Sequence, residues 1–239
     1  MRKIKAIGFD LGETLFYNNG IGLNWKDHYI PAIHKSLNKL QINPSEDQLL
    51  KSSEILSEYN TRIHPRINEI NCDVIFKRII AETSLPEALD LIKFEDEFFS
   101  YFSGNKQEFY SDTEKTLLKL KELNYGIGYL TDLTYGQKRP SDENSKLILE
   151  TLISFSSIYI SSVDVGYRKP AIDGFIELAK RLKCNVDEII YVGNEEKDII
   201  GSKNAGMVSC LISRDKQGQQ WGQDFTINSL YNIFEIIEK

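Results

Sequence analysis

The sequence is poor in cysteine and histidine, and this narrows the chemistry available to it. Its 239 residues include three cysteines, Cys72, Cys184 and Cys210, and three histidines. Because the cysteines are odd in number and far apart, the sequence predicts neither a disulfide framework nor a zinc site. The histidines all precede residue 65 and show no ligand spacing. We therefore expect reduced, buried thiols and no catalytic or metal site built on histidine.

Long hydrophobic runs and blocks of like charge are also missing. No apolar stretch approaches the roughly 20 residues that cross a bilayer, and the apolar stretch at residues 6–9 is too short for a signal-peptide core. The formal net charge is -6, with acidic and basic residues mixed along the chain. This pattern gives no basic patch for nucleic acid or for an anionic membrane. We therefore expect a cytoplasmic protein with neither kind of partner.

The hydrophobic pattern divides the chain into a helical stretch and an alternating α/β stretch. An apolar strand at residues 4–9 is followed by roughly ninety residues dominated by helical spacing. From Ser111, whose Ser-Asp-Thr-Glu phrase has capping-box spacing, helices and strands alternate. Strands are expected at 126–130, 157–161, 189–192 and 208–212, and helices at 172–182 and 198–205. Alternation of this kind predicts an α/β fold with a parallel sheet and helices on both faces.

The same pattern predicts the domain organisation. The first strand and the alternating stretch together supply one sheet, so residues 1–17 and 106–239 are expected to form the α/β core. Residues 18–105 are then a helical domain inserted after the first strand. A content of 41% apolar residues is enough for a well-buried core.

Chemically distinctive residues follow the predicted strands. The first strand ends at Asp10, the second ends in Thr131-Asp132, the third leads to Lys169, and the fourth leads to residues 193–198. Ligands of an open parallel sheet bind outside the carboxyl ends of its strands. Transfer of a phosphoryl group needs a nucleophile, hydrogen-bond donors, positive charge and commonly Mg²⁺. The residues at these strand ends can supply all of these except the metal ion.

Each of these residues also has an ordinary structural role. A strand-end aspartate such as Asp10 commonly caps a turn, and strands favour threonine. A lysine such as Lys169 is usually solvated, and an aspartate such as Asp198 often begins a helix. Only their order and spacing together favour a site.

That order and spacing resemble the haloacid dehalogenase-like (HAD) superfamily across essentially the whole chain. The first family motif, Asp-x-Asp-x-Thr after an apolar strand, corresponds to residues 10–14, with glycine at position 12. Thr131 matches the second motif, Lys169 the third, and Gly193-Asn194 followed by Asp198 the fourth. The resemblance implies a HAD-like Rossmannoid core with a parallel sheet. It also implies that the insertion is a helical C1 cap, which closes over the site and selects the substrate.

The resemblance assigns roles to individual residues. It implies that Asp10 attacks the substrate and forms a covalent aspartyl intermediate, with Thr131 and Lys169 as the other catalytic residues. Thr131, Asp132 and Lys169 are expected to bind the phosphoryl group. The expected ligands of Mg²⁺ are Asp10, the main-chain carbonyl of Gly12, and the fourth-motif residues Asn194, Glu195 and Asp198.

Two departures from the family pattern leave the activity open. Gly12 replaces the carboxylate that usually protonates the leaving group, unless Glu13 acts in its place, and Asn194 removes a negative charge from the metal site. The main hypothesis is a Mg²⁺-dependent phosphatase for a small anionic, phosphorylated metabolite, acting as a monomer or homodimer. The first alternative is a metal-independent 2-haloacid dehalogenase, since dehalogenases of the family also lack the second aspartate and carry asparagine in motif four. The second is a phosphate-binding protein with little turnover.

Overall fold

The structure is a computed structural model that describes residues 3–19, 25–103, 107–140, 142–215 and 218–238. The chain divides into two compact units. The first unit comprises residues 1–17, 108–132 and 150–239, and the second comprises residues 18–107 and 133–149. The sequence-based division differs from these boundaries mainly at residues 133–149, which it assigned to the α/β core.

Eight strands are found in the described residues. They are β1 (Ala6–Phe9), β2 (Phe16–Asn18), β3 (Gln107–Phe109), β4 (Gly126–Thr131), β5 (Tyr159–Ser161), β6 (Ile189–Gly193), β7 (Val208–Ile212) and β8 (Phe225–Ile227). Six of them form one sheet in the order β5-β4-β1-β6-β7-β8, with every pairing parallel. β2 and β3 form a separate two-stranded ribbon. The predicted α/β fold with a parallel sheet is confirmed.

The central strand of this sheet is buried on both faces. All four residues of β1 are buried, and its last residue, Phe9, is in register with Tyr129 on β4 and with Val192 on β6. Parallel strands covered by helices on both faces read as continuous apolar runs, which is the pattern of residues 6–9. Because β1, β4 and β6 run in the same direction, the residues that follow them lie at one edge of the sheet.

The helices include those predicted at 172–182 and 198–205, with corrected boundaries, and others that the sequence analysis did not predict. They are α1 (Tyr29–Lys39), α2 (Glu46–Tyr59), α3 (Cys72–Glu82), α4 (Leu91–Ser103), α5 (Thr113–Glu122), α6 (Glu143–Phe155), α7 (Ser162–Val165), α8 (Asp173–Leu182), α9 (Glu196–Asn204) and α10 (Ile233–Ile237). The Ser111 capping box does not form, because α5 begins at Thr113. The Asp112 carboxylate instead accepts hydrogen bonds from Arg214 at 3.1 Å and from Ser229 at 2.7 Å. Within the described residues, no helix is long and apolar enough to cross a membrane.

The second unit has an aromatic core of its own. Phe76 on α3 makes edge-to-face contacts with Phe94 and Phe98 on α4, with ring centroids 5.0 and 5.3 Å apart. All three side chains are fully buried. The aromatic stripe of α4 therefore packs inside this unit, because large rings bury much apolar surface and prefer tilted contacts.

Gly8 is needed in β1 because two side chains approach its main chain closely. A Cβ atom at this position would lie 2.7 Å from Leu178 Cδ2 and 2.9 Å from Tyr191 Cδ2. We expect Gly8→Ala to lower the free energy of unfolding by about 1–3 kcal/mol, the usual cost of overpacking a core. Urea denaturation measures this change. Gly12→Ala is the control, because a Cβ at Gly12 meets no atom within 4 Å, and equal losses in the two variants would contradict the packing argument.

Candidate active site

One lysine connects two buried carboxylates at the carboxyl edge of the sheet. Lys169 Nζ lies 2.6 Å from Asp10 Oδ1 and 2.6 Å from Asp198 Oδ1. Asp10 directly follows β1, Asp198 lies in the first turn of α9, and Lys169 lies between α7 and α8. All three residues are at least nine-tenths buried, with residue exposures of 7%, 0% and 5% for Asp10, Asp198 and Lys169. The structure thus brings residues of the first, third and fourth sequence motifs into direct contact.

Tyr191 completes the surroundings of the Lys169 ammonium group. Its hydroxyl donates to the carbonyl of Leu130 at 2.8 Å, so its oxygen can accept from Lys169 Nζ at 3.3 Å. Lys169 Nζ is also 3.5 Å from the Leu130 carbonyl. An ammonium group has three N–H bonds. In this structure Lys169 Nζ donates hydrogen bonds to Asp10, to Tyr191 and to the Leu130 carbonyl, and its contact with Asp198 is an ion pair.

Gly193 makes room for the Asp198 carboxyl group. A Cβ atom at Gly193 would lie 2.4 Å from Asp198 Cγ, a distance that real Cβ atoms do not show. Asp198 Oδ2 accepts a hydrogen bond from the main-chain N–H of Glu195 at 3.0 Å. The glycine at the end of β6 therefore allows the carboxylate to fold back toward the start of α9, where it reaches Lys169.

Burial and charge act together on the titration of this cluster. Burial, with a smaller contribution from Asp198, raises the pKa of Asp10 to about 7, because Lys169 offsets only part of their effect. Burial favours the neutral amine of Lys169, but Asp10 and Asp198 hold its pKa well above the usual range. Both shifts have the same origin, because two carboxylates share one ammonium group. Lys169 stays charged, and one carboxylate is left without a full countercharge.

A second ionic cluster lies beside the first. Asp132 directly follows the last residue of β4, Thr131, and its Oδ1 accepts from the main-chain N–H of Lys169 at 3.0 Å. Its Oδ2 lies 3.1 Å from Lys197 Nζ and 3.9 Å from Arg168 Nη2. Burial alone would raise the pKa of Asp132, but Lys197, Lys169 and Arg168 outweigh it and lower the pKa. Asp132 is therefore an ionised carboxylate that holds cations in place.

The turn after Asp10 is fixed to the rest of the first unit. Thr14 Oγ1 donates to Asn194 Oδ1 at 3.1 Å, and Arg214 donates to the Thr14 carbonyl at 2.8 Å. The side chain of Glu13 accepts from the Tyr110 hydroxyl at 3.1 Å. Burial, followed by Glu13, raises the pKa of Tyr110 to about 12, so this hydroxyl stays protonated. The structure therefore places Glu13 in a contact with Tyr110, which does not identify it as a replacement acid.

The predicted metal ligands divide into two groups. Asp198 is held by Lys169, and Glu195 Oε2 lies 2.8 Å from Lys197 Nζ. In the described part of the chain, no three His, Cys, Asp or Glu side chains are placed to hold a metal ion. Asp10 also contacts Lys169, and the Asn194 amide oxygen also accepts from Thr14, but each can still offer a hard oxygen lone pair together with the Gly12 carbonyl. The space beside Gly12 is open. This smaller set fits Mg²⁺, which is commonly held by one or two carboxylates together with a substrate phosphate.

Sequence reasoning missed two residues of this region. Tyr191 reads as an ordinary strand residue, and only its contact with Lys169 shows that its hydroxyl bears on the site. Lys197 does carry a sequence signal, because it lies inside the fourth motif, directly before Asp198. Its contacts with Asp132 and Glu195 could not be derived from spacing alone.

Comparison with known proteins identifies the family of the chain. Residues 49–212 match the model of the haloacid dehalogenase-like hydrolase family. The glyceraldehyde 3-phosphate phosphatase of Methanopyrus kandleri is 31% identical over 220 residues, which are 89% of this chain and 85% of that protein. The chain therefore belongs to the haloacid dehalogenase-like hydrolase family. The predicted family and the prediction of a hydrolase are confirmed.

Solved structures share the fold. A 2-haloacid dehalogenase from Pseudomonas syringae pv. Tomato is 19% identical with a TM-score of 0.67, and the match covers 98% of each chain. The HAD-hydrolase YfnB from Bacillus subtilis, solved with bound magnesium, is 14% identical with a TM-score of 0.60 over the full length of both chains. At these identities the likeness concerns the fold, and the bound magnesium is a property of that protein.

The raised pKa of Asp10 predicts how stability depends on pH. Between the ordinary value of 3.8 and about 7, the native state binds more protons at Asp10 than the unfolded state does. The unfolding free energy of the wild type should therefore fall relative to that of Asp10→Asn as pH rises through this window. The slope should not exceed about 1.4 kcal/mol per pH unit. Urea denaturation of both proteins at each pH measures the difference.

Asp132→Asn is the matched control for this measurement. The pKa of Asp132 is lowered in the native state, so its contribution to stability is present above the ordinary pKa and is lost only as pH falls below it. The difference between the wild type and Asp132→Asn should stay level from pH 5 to pH 7. A level difference for Asp10→Asn as well would contradict the assigned titration of Asp10.

Proposed function

We propose that this protein is a Mg²⁺-dependent phosphatase that hydrolyses small phosphorylated metabolites through an aspartyl-phosphate intermediate. The observation that carries the proposal is the contact of Lys169 with both Asp10 and Asp198 at the end of the central strand. A carboxylate held there by a cation is positioned as a nucleophile. The phosphatase name of the Methanopyrus kandleri relative supports a phosphate ester over a haloacid as the substrate.

The reaction has two displacement steps. A carboxylate oxygen of Asp10 forms a bond to phosphorus while the bond from phosphorus to the ester oxygen breaks, and the alcohol leaves with its electron pair and takes up a proton. Water then attacks the aspartyl phosphate, releases inorganic phosphate and restores the Asp10 carboxylate. The Thr131 hydroxyl and nearby ammonium groups donate hydrogen bonds to the phosphoryl oxygens, which carry the charge of the transition state.

Asp132 has a different role in this proposal from the phosphate contact implied by the family resemblance. As an ionised carboxylate it would repel a phosphoryl group, and its two oxygens already face the Lys169 N–H and Lys197. Asp132 therefore orients the neighbouring cations. Mg²⁺ held by Asp10, the Gly12 carbonyl and Asn194 would offset repulsion between the Asp10 carboxylate and the incoming phosphate.

Gly12 limits the leaving groups that the site handles well. Because residue 12 is glycine, it has no carboxyl group that could protonate the departing oxygen. Loss of a general acid typically lowers the rate by about a hundred- to ten-thousand-fold. Aryl and acyl phosphates, whose leaving groups need little protonation, should therefore react faster than alkyl phosphates. Glyceraldehyde 3-phosphate is the alkyl phosphate to test first, because a relative is named for it.

Removal of the nucleophile is the direct test of the proposed function. Asp10→Asn should lower the release of phosphate from p-nitrophenyl phosphate with Mg²⁺ by at least about a thousandfold, because the amide cannot form the acyl phosphate. Phosphate release and halide release from 2-chloropropionate are measured in parallel. Equal phosphatase activity in the variant would refute the proposal. Halide release that persists with chelator would instead establish the dehalogenase alternative.

Restoring a carboxylate at position 12 tests the role of the glycine. A Cβ there meets no atom within 4 Å, and Gly12 is not among the residues with positive φ. We expect Gly12→Asp to raise kcat for glyceraldehyde 3-phosphate with Mg²⁺ by roughly tenfold or more, since an added general acid acts mainly on a poor leaving group. The rate with p-nitrophenyl phosphate should change less.

Gly12→Asn is the matched control, because asparagine adds nearly the same volume as aspartate but its amide group cannot act as a general acid. It should leave the rate with the alkyl phosphate at the wild-type level. If Gly12→Asp gives no increase, or if Gly12→Asn gives the same increase, then proton transfer from position 12 is not what limits the reaction.

A further inference from the structure

Lys197 bridges two of the strand ends that form the site. It lies in the first turn of α9, and its Nζ is 3.1 Å from Asp132 Oδ2 and 2.8 Å from Glu195 Oε2. Asp132 directly follows Thr131, and Glu195 directly follows Asn194. The ammonium group therefore joins residues that neighbour the second and fourth motifs, on opposite sides of β1 in the sheet.

The hydrogen bonds of Lys169 show why a second cation matters. Its hydrogen bonds go to Asp10 at 2.6 Å, to Tyr191 at 3.3 Å and to the Leu130 carbonyl at 3.5 Å, and Asp198 adds an ion pair. The contact with Asp10 is charge-assisted, buried and short, so giving it up is costly. A phosphoryl oxygen can replace Leu130 as an acceptor, because that contact is the longest of the three. One donor from Lys169 still leaves the other terminal oxygens of a phosphate dianion to be satisfied by other groups.

Lys197 has a donor to spare. Two of its three N–H bonds can serve Asp132 and Glu195, and within the described ranges no third acceptor is found for its Nζ. Its side chain is 30% exposed, whereas that of Lys169 is 2% exposed. A ligand can therefore approach Lys197 without displacing an ion pair.

We propose that Lys197 donates a hydrogen bond to the phosphoryl group and supplies a second cation beside Lys169, whose donors are largely engaged by its own contacts. This inference rests on the proposed phosphatase function. It assigns a substrate contact to a residue outside the second- and third-motif residues that the sequence analysis expected to bind phosphate. The anion that Lys197 recognises is the phosphate monoester dianion itself, whatever alcohol is attached to it.

Phosphate binding by the metal-free protein tests this role apart from turnover. Isothermal titration calorimetry with inorganic phosphate and chelator compares the wild type with Lys197→Met, Lys197→Arg and Lys180→Met. Lys197→Met should raise the Kd of phosphate roughly tenfold to a hundredfold, as expected for loss of a hydrogen bond to a charged group. Lys197→Arg should recover most of the affinity. Lys180, exposed on α8 and paired with Glu177, is the control for loss of one positive charge, and its variant should bind as the wild type does.

The outcomes separate this inference from the proposed function. If the wild type binds phosphate and hydrolyses p-nitrophenyl phosphate, but folded Lys197→Met binds phosphate within twofold of the wild type, Lys197 is only a structural tie and the inference is wrong. If Lys197→Met does not fold, Lys197→Gln replaces it under the same criteria. If the wild type neither binds phosphate nor hydrolyses the ester, the proposed function fails and the inference falls with it.

Discussion

The sharing of one ammonium group by two buried carboxylates is the interaction on which the site depends. Lys169 is 2.6 Å from both Asp10 and Asp198. Without the ammonium group, two like charges would remain in a low-dielectric environment, which is among the most costly arrangements in a protein interior. Neighbouring residues allow this contact to form. Gly193 leaves space for the Asp198 carboxyl group, and the Tyr191 hydroxyl accepts a hydrogen bond from Lys169.

This arrangement leaves little negative charge available for a metal. Asp10 and Asp198 share Lys169, and Glu195 is paired with Lys197, so each carboxylate among the five expected ligands already contacts an ammonium group. Mg²⁺ keeps several waters and is often bound jointly by protein and substrate phosphates. A weakly charged site of this kind favours binding of the metal together with the substrate, since the phosphate then supplies the missing charge.

The sequence predicted the core of the fold and three of the site residues that come into contact. Continuous apolar runs marked β1, β4, β6 and β7, and strand direction alone placed the residues that follow them at one edge. α6 was not predicted, because Asn144, Ser145 and Thr151 weaken its helical pattern. β8 has only three residues, which is too short for a recognisable alternation of apolar and polar positions.

The contacts of the site could be predicted less well than its members. Motif order brings Asp10, Lys169 and Asp198 together, but it cannot say which groups are paired. Pairing depends on side-chain direction, and here three expected metal ligands, Asp10, Asp198 and Glu195, contact lysines. Asp132, which the family resemblance assigned to phosphate binding, lies among three cations and stays ionised. The sequence shows that Lys197 lies in the fourth motif, but its contact with Asp132, beside the second motif, could be found only in the structure.

Gly12 is consistent with the charges around it. Asp10 already has a raised pKa, because burial and Asp198 disfavour its ionised form. A carboxylate two residues away in the same turn would add a like charge and raise that pKa further unless a metal ion offset it. Glycine at position 12 therefore avoids a further rise in the pKa of Asp10. It also leaves the site without a carboxyl group at that position to protonate the leaving group. In the proposed reaction, a site with these charges suits formation of the covalent intermediate from substrates with good leaving groups better than expulsion of a strongly basic alkoxide.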